Sequence, residues 1–466
     1  MGTALRHRLA DVVGAAHVST DPDVLAGRSI DWTGRYRGSA SALVRPGSTD
    51  EVAAVLRSCR DAGVRVTVQG GRTSLVAGTV PEHDDVLLST ERLNGIGDVD
   101  AAARRVRVGA GVTLSQAQRA AATAGLLIGV DLTSRDSATI GGMVSTDAGG
   151  LHTVCYGSMG KQVLGLEVAL PDGSVLRPCA PAGAPNTGYD LTALFAGAEG
   201  TLGVITAVDL RLHPIPAHRA TALCGFADLD ALVSAARILR DVETIAALEL
   251  IDGRAIALAD EHLGLSAPSG DAWLLLVELA AAADPSEALA DTLADTLAAT
   301  LSDTLAGTLD RVAACAEPSV GLDRATQLRL WQTRESIAEV VGLFGPPVKF
   351  DVSLPFSAIS AFARDSDRLI HRCAPDAIPV LFGHVGEGNL HLNVLRCGID
   401  AESRIYPEMM KLIAAHGGNV SSEHGVGSRK RGYLAMSRPP ADIAAMRTIK
   451  NALDPTGYLN PAVLFD

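Results

Sequence analysis

A chain of 466 residues, of which 47% are hydrophobic and 20% charged, is long enough for two or three folded domains and unlike a disordered protein in composition. Its formal net charge of -13 argues against sequence-independent binding of nucleic acid, which needs a basic surface, but local cations can still hold an anionic substrate. Seven dispersed cysteines without a Cys-x-x-Cys pair, together with the lack of a signal peptide or long apolar run, predict a soluble cytoplasmic protein without an iron–sulfur centre or a membrane span.

Short β-branched runs and alanine-rich runs share the first half of the chain with many glycines. The β-branched runs predict strands and the alanine-rich runs predict helices. The predicted strands are Val64–Val68, Val86–Ser89, Val106–Val108 and Val204–Leu210, and the predicted helices are Glu51–Ala62 and Leu114–Ala124. Pro214 and Pro216 then interrupt the pattern, which predicts an α+β domain that ends near His213.

The second half begins with a predicted helix, Ala231–Leu239, and a predicted strand, Ala272–Leu279. Residues Asp284–Asp310 carry a leucine at nearly every fourth position and predict one long amphipathic helix. We expect this helix to cover the sheet of the second domain, and a partner-binding helix is the alternative. A last helix is predicted from Ala441 to Leu453, before Asp454-Pro455.

Three glycine-rich segments of the first half are candidates for contact with a large ligand. Residues 66–75 run from a strand into consecutive glycines and then hydroxyl residues, and glycine lets backbone N–H groups approach a phosphate closely. Residues 137–150 are almost all small, and residues 198–206 form another glycine-lined entry to a strand. Because neither a dinucleotide fingerprint nor a Walker lysine is present, the first segment alone is equally consistent with a tight structural turn.

These segments occur in a longer ordered series of motifs. The series is Pro46–Val52, Gly70–Leu75, Thr139–Gly150, Tyr156-Gly157, Val163–Val168, Asp172-Gly173, Asn186–Leu191 and Glu199–Thr206. Over about residues 40–214 it resembles the FAD domain of the vanillyl-alcohol oxidase / p-cresol methylhydroxylase superfamily, although Gln69, Arg72 and Asp147 depart from the usual residues. The resemblance implies an α+β protein with a p-cresol methylhydroxylase-type FAD-binding domain over 1–214. A substrate-binding α+β cap domain over 215–440 and a C-terminal helical segment over 441–466, which returns to the FAD domain, would follow.

The resemblance also implies which residues contact FAD. They are Gly70, Gly71, Arg72, Thr73, Ser74, Asp131, Ser137, Thr139, Gly141, Gly142, Ser145, Thr146, Ala148, Gly149, Glu199, Gly200, Gly203, Ile205 and Asn460. Some members of the superfamily tether FAD through a histidine in the first loop. Thr73 stands at that position and cannot form the bond, so non-covalent FAD is expected.

A histidine and carboxylate constellation lies in the second half. His391 and Asn393 alternate in a strand-like run and are predicted to face the same side. His384 ends the preceding short strand before a glycine turn that can fold it back toward His391, and Glu423 and His424 follow in another glycine-flanked motif. Two imidazoles and a carboxylate with an open position suit a divalent metal such as zinc or manganese.

These motifs resemble the C-terminal domain of the FAD-linked D-lactate and D-2-hydroxyglutarate dehydrogenases. The matching segments also include Leu330–Glu335, Val348–Pro355, Ile449–Pro455 and Leu459–Pro461. The resemblance implies His384, His391 and Glu423 as metal ligands and Arg334, Lys349, Asn393 and His424 as substrate-binding residues, with His424 near the flavin. Lys349 favours the hydroxyglutarate branch, whereas Ala338 replaces a threonine that is usual there.

The predicted activity is FAD-dependent, metal-assisted oxidation of a small D-2-hydroxy acid to the 2-oxo acid. His424 is the expected base, because an imidazole titrates near neutral pH, while Arg334 and Lys349 are expected to hold carboxylates. D-2-hydroxyglutarate is the favoured substrate, and D-lactate, D-malate and glycolate are the alternatives.

Because the chain carries no cluster or haem motif, an external electron acceptor is expected, either an electron-transfer flavoprotein or a quinone. A homodimer and peripheral attachment to a membrane are left open. Two rival hypotheses belong to other classes. A flavin-free metallohydrolase would give the glycine-rich half no function. A non-catalytic flavin-binding electron carrier would give the histidine constellation no function.

Overall fold

The computed structural model describes residues 2–178, 187–265, 273–281 and 319–465, and the predicted helix Asp284–Asp310 lies outside them. The chain divides into two compact units. Unit 1 comprises Met1–Gly149, Tyr156–Ile215 and Glu423–Asp466, and unit 2 comprises Gly150–Cys155 and Pro216–Ser422. Residues 423–440, which the sequence assigned to the second domain, are grouped with unit 1.

The helices and strands of the described residues are as follows. The α-helices are α1 (Thr3–Val13), α2 (Pro22–Arg28), α3 (Thr49–Asp61), α4 (Leu114–Ala122), α5 (Ile140–Thr146), α6 (Thr153–Tyr156), α7 (Leu191–Phe195), α8 (Leu229–Leu239), α9 (Gly253–Leu263), α10 (Arg324–Leu343), α11 (Ile359–Cys373), α12 (Ile399–Ala415) and α13 (Pro440–Leu453). The strands are β1 (Val18–Ser19), β2 (Ala40–Val44), β3 (Val66–Gln69), β4 (Asp85–Ser89), β5 (Arg105–Gly109), β6 (Leu126–Leu127), β7 (Val163–Ala169), β8 (Val175–Leu176), β9 (Val204–Arg211), β10 (His213–Pro214), β11 (His218–Phe226), β12 (Ile245–Asp252), β13 (Trp273–Ala281), β14 (Ser319–Gly321), β15 (Val348–Ser353), β16 (Ile378–His384) and β17 (Asn389–Leu395). Short 3-10 helices cover Ala15–His17, Met159–Gln162, Phe356–Ala358, Val385–Glu387 and Arg431–Met436. The α+β class predicted from the sequence is confirmed.

Polar side chains set where several of these helices begin. The Ser48 hydroxyl accepts the backbone N–H of Glu51 at the start of α3, at 3.2 Å. At the start of α4, Thr113 and Gln116 form a reciprocal capping box, in which each side chain accepts the backbone N–H of the other residue. Within the described residues, no helix combines the length and apolar content that crossing a bilayer demands.

Unit 1 contains two four-stranded sheets, with strand orders β1-β2-β4-β3 and β5-β9-β7-β8, and a two-stranded pair of β6 and β10. Strands β2, β4 and β3 run parallel, whereas β5, β9, β7 and β8 are antiparallel. Parallel strands need a crossover connection, and α3 lies in the connection between β2 and β3. Strand β3 ends at Gln69, so the consecutive glycines of the first glycine-rich segment come directly after this strand.

The C-terminal residues of unit 1 are joined to its glycine-rich loops. The Lys450 ammonium of α13 donates to the carbonyl oxygens of Thr201, at 2.8 Å, and Leu459, at 2.9 Å, and pairs with Asp454 at 2.5 Å. Leu459 forms a parallel bridge with Val66 of β3. This part of the chain therefore completes the sheet edge from which the first glycine-rich segment leaves.

Unit 2 is built on a seven-stranded antiparallel sheet with the order β14-β11-β13-β12-β16-β17-β15. Helices α8 to α12 belong to this unit, and α10 packs on α9 and β11. The central strand β12 is buried along its whole length. On one side of β12, the strands β16, β17 and β15 follow in that order and carry most of the predicted site residues of the second half. The order of this sheet therefore decides which of those residues meet.

Candidate active site

Unit 1 contains a cleft of about 600 Å³. Its lining residues are Val68, Gly70, Ser74, Gly78, Thr79, Thr90, Gly141, Gly142, Ser145, Thr146, Glu199, Gly200, Gly203, Val204, Ile205 and Asn460. All three glycine-rich segments contribute to this lining.

Many of the residues expected to contact FAD line this cleft, and the rest are placed elsewhere in unit 1. The expected residues that are not among its lining residues in the described chain are Gly71, Arg72, Thr73, Asp131, Ser137, Thr139, Ala148 and Gly149. The charged side chains among them, Arg72 and Asp131, have partners in unit 1. The Arg72 guanidinium donates to the Gly27 carbonyl at 2.9 Å, and Asp131 pairs with Arg135 at 3.0 Å.

The consecutive glycines Gly70 and Gly71 are required by close packing in this region. A Cβ atom added at Gly71 would lie 2.0 Å from the Ser137 carbonyl oxygen, and one at Gly70 would lie 2.5 Å from the Thr139 hydroxyl. That hydroxyl accepts the N–H of Gly71 at 3.2 Å. The first two glycine-rich segments are therefore packed closely against each other at Gly70 and Gly71.

Two further glycines, Gly78 and Gly142, also line the cleft. A Cβ atom added at Gly78 would be in ordinary contact, with no described heavy atom nearer than 3.6 Å, whereas one at Gly142 would crowd the Thr139 hydroxyl at 3.1 Å. Small residues at the cleft wall fit a large, flat ligand such as FAD, which needs close approach to the backbone.

Glu199 connects the cleft to the segment that carries His424. Its side chain is partly buried, and its carboxylate accepts the backbone N–H groups of Val426 and Gly427, each at 2.8 Å. Burial raises the pKa of Glu199, whereas these two N–H groups favour the charged form. Because Glu199 also lines the cleft, this clamp holds the backbone that begins two residues after His424 against the wall of the cleft.

Unit 2 places its predicted site residues in register across neighbouring strands. Lys349 of β15 lies opposite Asn393 of β17, and Asp351 lies opposite His391 two residues along. Residues two apart on a strand share a face, so all four side chains are on one face of the sheet. The expectation that His391 and Asn393 face the same side is met.

The turn after β16 brings His384 back to His391, as the glycine pattern predicted. The two ring centroids are 5.4 Å apart and the ring planes are perpendicular. Gly388, with φ +70°, closes this turn, and a Cβ atom there would lie 2.2 Å from the Leu354 carbonyl oxygen. A side chain at position 388 is therefore excluded, and the reversal that pairs the two imidazoles depends on glycine.

A carboxylate that the sequence analysis did not single out connects two predicted site residues. Glu249 of β12 accepts a hydrogen bond from His384 Nδ1 at its Oε1 atom, at 2.5 Å, and one from Arg334 Nε at its Oε2 atom, at 2.7 Å. Its side chain is fully buried. Burial raises the pKa of Glu249, but its interactions with His384 and Arg334 outweigh burial and hold that pKa below its ordinary value.

Asp351 is a second carboxylate whose role the sequence analysis did not assign. It is buried, and its Oδ2 atom accepts the backbone N–H of Ser422 at 3.0 Å and the hydroxyl of Ser421 at 3.2 Å. Its Oδ1 atom lies 3.8 Å from His391 Nδ1. An acidic residue with an apolar residue on each side of it in a strand is the sequence signal that marks both Glu249 and Asp351.

Comparison with known proteins gives a consistent family assignment. The FAD binding domain family matches residues 40–178, and the family of C-terminal domains of FAD linked oxidases matches residues 215–464. The chain is 36% identical over 450 residues to the mitochondrial D-2-hydroxyglutarate dehydrogenase of Bos taurus, covering 95% of this chain and 80% of that protein. It is 34% identical over 473 residues to the D-2-hydroxyglutarate dehydrogenase of Xanthomonas citri pv. viticola, covering 98% and 96%.

A solved structure supports the fold at low sequence identity. The structure of p-cresol methylhydroxylase with substrate bound matches with a TM-score of 0.77 and 17% identity, covering 99% of this chain and 96% of that one. The p-cresol methylhydroxylase-type fold expected from the glycine-rich motifs is therefore confirmed. The chain belongs to the FAD-linked oxidase family, with D-2-hydroxyglutarate dehydrogenases among its relatives, and is an enzyme of that family.

Proposed function

We propose that this enzyme oxidises a D-2-hydroxy acid to the 2-oxo acid and that D-2-hydroxyglutarate is its preferred substrate. The observation that carries the proposal is the face of the unit 2 sheet on which Lys349, Asn393 and His391 lie in register. The lysine cation and the asparagine amide suit an acid substrate, and the imidazole on the same face suits a metal ion that would bind the substrate as well. The dehydrogenase relatives support this substrate class.

FAD is proposed to bind non-covalently in the cleft of unit 1. The residues expected to hold it are those of the three glycine-rich segments that line the cleft, with Asn460 from the C-terminal segment. Thr73 supports non-covalent binding, because a hydroxyl cannot replace the histidine that tethers FAD in some members of the superfamily. When bound, FAD supplies the acceptor for the substrate hydride, and an external electron-transfer flavoprotein or quinone is the proposed final acceptor.

A divalent metal, zinc or manganese, is proposed to be held by His384, His391 and Glu423. The donor chemistry fits, because imidazole and carboxylate ligands suit these ions, and Asp351 beside His391 adds a second carboxylate. Ser422 is bound to Asp351, and Glu423 is the next residue, with neighbouring Cα atoms about 3.8 Å apart. When bound, the metal would polarise the substrate hydroxyl and carboxylate.

Each remaining side chain has a proposed role. His424 takes the proton of the substrate hydroxyl on an imidazole nitrogen, and Asn393 orients the acid. Arg334 binds a substrate carboxylate while its Nε–H stays on Glu249. Since Glu249 already balances the charge of Arg334, the preference for a second carboxylate rests on Lys349. Ala338, one turn after Arg334, has no hydroxyl to offer the substrate, and it is exposed.

Anaerobic flavin reduction tests this proposal. The purified enzyme would be mixed with a panel of D- and L-2-hydroxy acids, and bleaching of the flavin absorbance followed. We expect rapid bleaching by D-2-hydroxyglutarate and none by L-enantiomers. Faster bleaching by D-lactate, D-malate or glycolate would replace the proposed substrate, and no bleaching by any hydroxy acid would contradict the activity. A colourless protein would favour the flavin-free metallohydrolase.

A further inference from the structure

Glu249 occupies a position in unit 2 where an acidic side chain is costly without specific partners. It lies in β12, every residue of which is buried, and its side chain is fully buried. An unpaired carboxylate in such a place is strongly disfavoured, so its partners determine whether it is tolerated. Those partners are His384 and Arg334, which the proposed function uses as a metal ligand and a substrate-binding residue.

The contact with His384 selects one state of the imidazole ring. The hydrogen bond from Nδ1 to Glu249 places the proton on Nδ1 and leaves the lone pair of Nε2 for another partner. Metal-binding histidines usually donate their second ring N–H to a carboxylate, which fixes the tautomer and orientation and raises the basicity of the ligand. Since His384 is opposite Glu249 in the register of β12 and β16, the sheet itself holds this geometry.

The contact with Arg334 orients a second functional group. Glu249 accepts from the Nε atom at 2.7 Å, and the guanidinium lies over the Phe382 ring at 4.8 Å from its centroid. A planar guanidinium bound at Nε and stacked on a ring has a defined direction for its terminal N–H groups. One carboxylate therefore sets the direction of both side chains.

We propose that Glu249 is a positioning residue that aligns His384 for the metal and Arg334 for the substrate carboxylate. This inference rests on the proposed function, since it needs the metal at His384. A purely structural ion pair is the competing explanation. It predicts that loss of the Glu249 charge lowers the stability of the protein without a selective effect on metal or substrate binding.

Glu278 of β13 provides a matched control in the same unit. It is also buried, accepts the indole N–H of Trp331 from α10 at 2.7 Å, and pairs with Arg219. Burial raises the pKa of Glu278, but the interactions with His152 and Arg219 outweigh burial and hold it below its ordinary value. Thus Glu249 and Glu278 are alike in burial and in charge pairing, but none of these partners of Glu278 is a predicted site residue.

The test compares Glu249→Gln, Glu249→Asp and Glu278→Gln with the unaltered holoenzyme. Zinc affinity of chelator-stripped, FAD-loaded protein would be measured by competition with a chromophoric chelator, and thermal unfolding would be recorded for each sample. We expect Glu249→Gln to weaken zinc binding by about 10- to 100-fold and to raise the KM for substrate, with bound FAD unchanged. Glu249→Asp should recover part of the affinity, and Glu278→Gln should bind zinc as the unaltered protein does.

Three results would overturn the inference, and they distinguish its failure from failure of the proposed function. Equal zinc affinity in Glu249→Gln and the unaltered protein, or an equal loss in Glu278→Gln, would leave Glu249 as a structural ion pair while the proposed function stands. If the unaltered protein takes up no zinc or manganese, the metal part of the proposed function fails, and this inference fails with it. If Glu249→Gln does not fold, the comparison of Glu249→Asp with Glu278→Gln decides.

Discussion

The side chain of Asn460 joins the C-terminal segment to Glu199 in the wall of the FAD cleft. Its amide nitrogen donates to the Glu199 carbonyl at 2.9 Å, and its oxygen accepts the N–H of Val68 at 2.8 Å. Asn460 is buried and has φ +44°, and Glu199 has φ +49°. Both backbones are thus in the left-handed region that non-glycine residues seldom adopt, and each is held there by this contact.

We expect Asn460→Ala to loosen the cleft and release FAD. The change removes two buried hydrogen bonds, which should lower the free energy of unfolding by about 1–3 kcal/mol. FAD affinity, measured by flavin fluorescence during dilution, should fall together with stability. Asn460→Gly separates the loss of the amide from backbone strain, since glycine lacks the amide as alanine does but tolerates the positive φ. Thr448→Ala, on the exposed side of α13, is the matched control. Unchanged FAD affinity in Asn460→Ala would contradict this role.

Metal removal should abolish turnover without releasing FAD. This prediction rests on the pair of His384 and His391, whose ring centroids are 5.4 Å apart. After exhaustive chelation, the flavin spectrum should persist while reduction by substrate stops, and zinc or manganese should restore it. His391→Ala should behave like the chelated enzyme, because loss of one ligand leaves a weak site. His371→Ala, an exposed histidine on α11, is the control. Full activity of a metal-free sample would exclude the metal.

We expect His424→Ala to slow flavin reduction by roughly 100- to 10,000-fold, the usual contribution of a general base. The Glu199 clamp on Val426 and Gly427 does not use the His424 side chain, so the local backbone should be preserved. Stopped-flow reduction of the bound flavin measures the effect, and the flavin spectrum checks that FAD remains. A loss of only two- or three-fold would assign the base to another group.

Lys349→Met tests whether Lys349 binds a second carboxylate of the substrate. Catalytic efficiency with D-2-hydroxyglutarate should fall about 10- to 100-fold, the effect of losing a hydrogen bond to a charged group, while that with D-lactate changes little. Steady-state kinetics with both acids measure the ratio. Lys411→Met, which removes an exposed lysine of α12 paired with Glu408, is the control. If neither efficiency changes, the pocket for two carboxylates does not exist.

The pH dependence of stability should reflect His213 of unit 1. Burial, with the charges of Arg211 and Arg104, lowers its pKa below 6.5, and its Nε2 atom is 2.8 Å from Gln162 Oε1. Below pH 6.5 the unfolded chain binds a proton that the folded protein resists, so stability should fall as the pH decreases from 6.5 through the lowered pKa.

Replacement of this histidine should flatten that dependence. Denaturant midpoints at pH 5.5 and 7.5 would be compared for the unaltered protein, His213→Gln and His7→Gln, where His7 is exposed. The difference between the two pH values should shrink in His213→Gln and persist in His7→Gln. An equal difference in all three proteins would assign the acid sensitivity to other groups.

Local patterns in the sequence predicted many elements closely. The strand expected over Val204–Leu210 is Val204–Arg211, and the helix expected over Glu51–Ala62 is Thr49–Asp61. The shared face of His391 and Asn393 follows from the same local rule, because side chains alternate along a strand. The approach of His384 to His391 was also predictable, because a short glycine turn joins adjacent antiparallel strands.

These local patterns did not predict the contacts between segments that are distant in the sequence. Glu249 and His384 are 135 residues apart, and they meet because β12 is the neighbour of β16 in the sheet. Arg334 was expected to hold a substrate carboxylate, and the structure shows in addition that its Nε–H donates to Glu249. Asp351 likewise lies in the matching segment Val348–Pro355, but no partner was predicted for it. Strand order places it opposite His391.

The sequence by itself determined the chemistry of this protein: which side chains are present, their spacing along strands and turns, and the family to which the motifs belong. The tertiary structure alone decided which of those groups are partners, as with Glu249 between His384 and Arg334. The physical reason is that alternation and glycine turns act over a few residues. Strand order instead depends on the burial of whole strands, so no local pattern encodes which distant carboxylate reaches which imidazole.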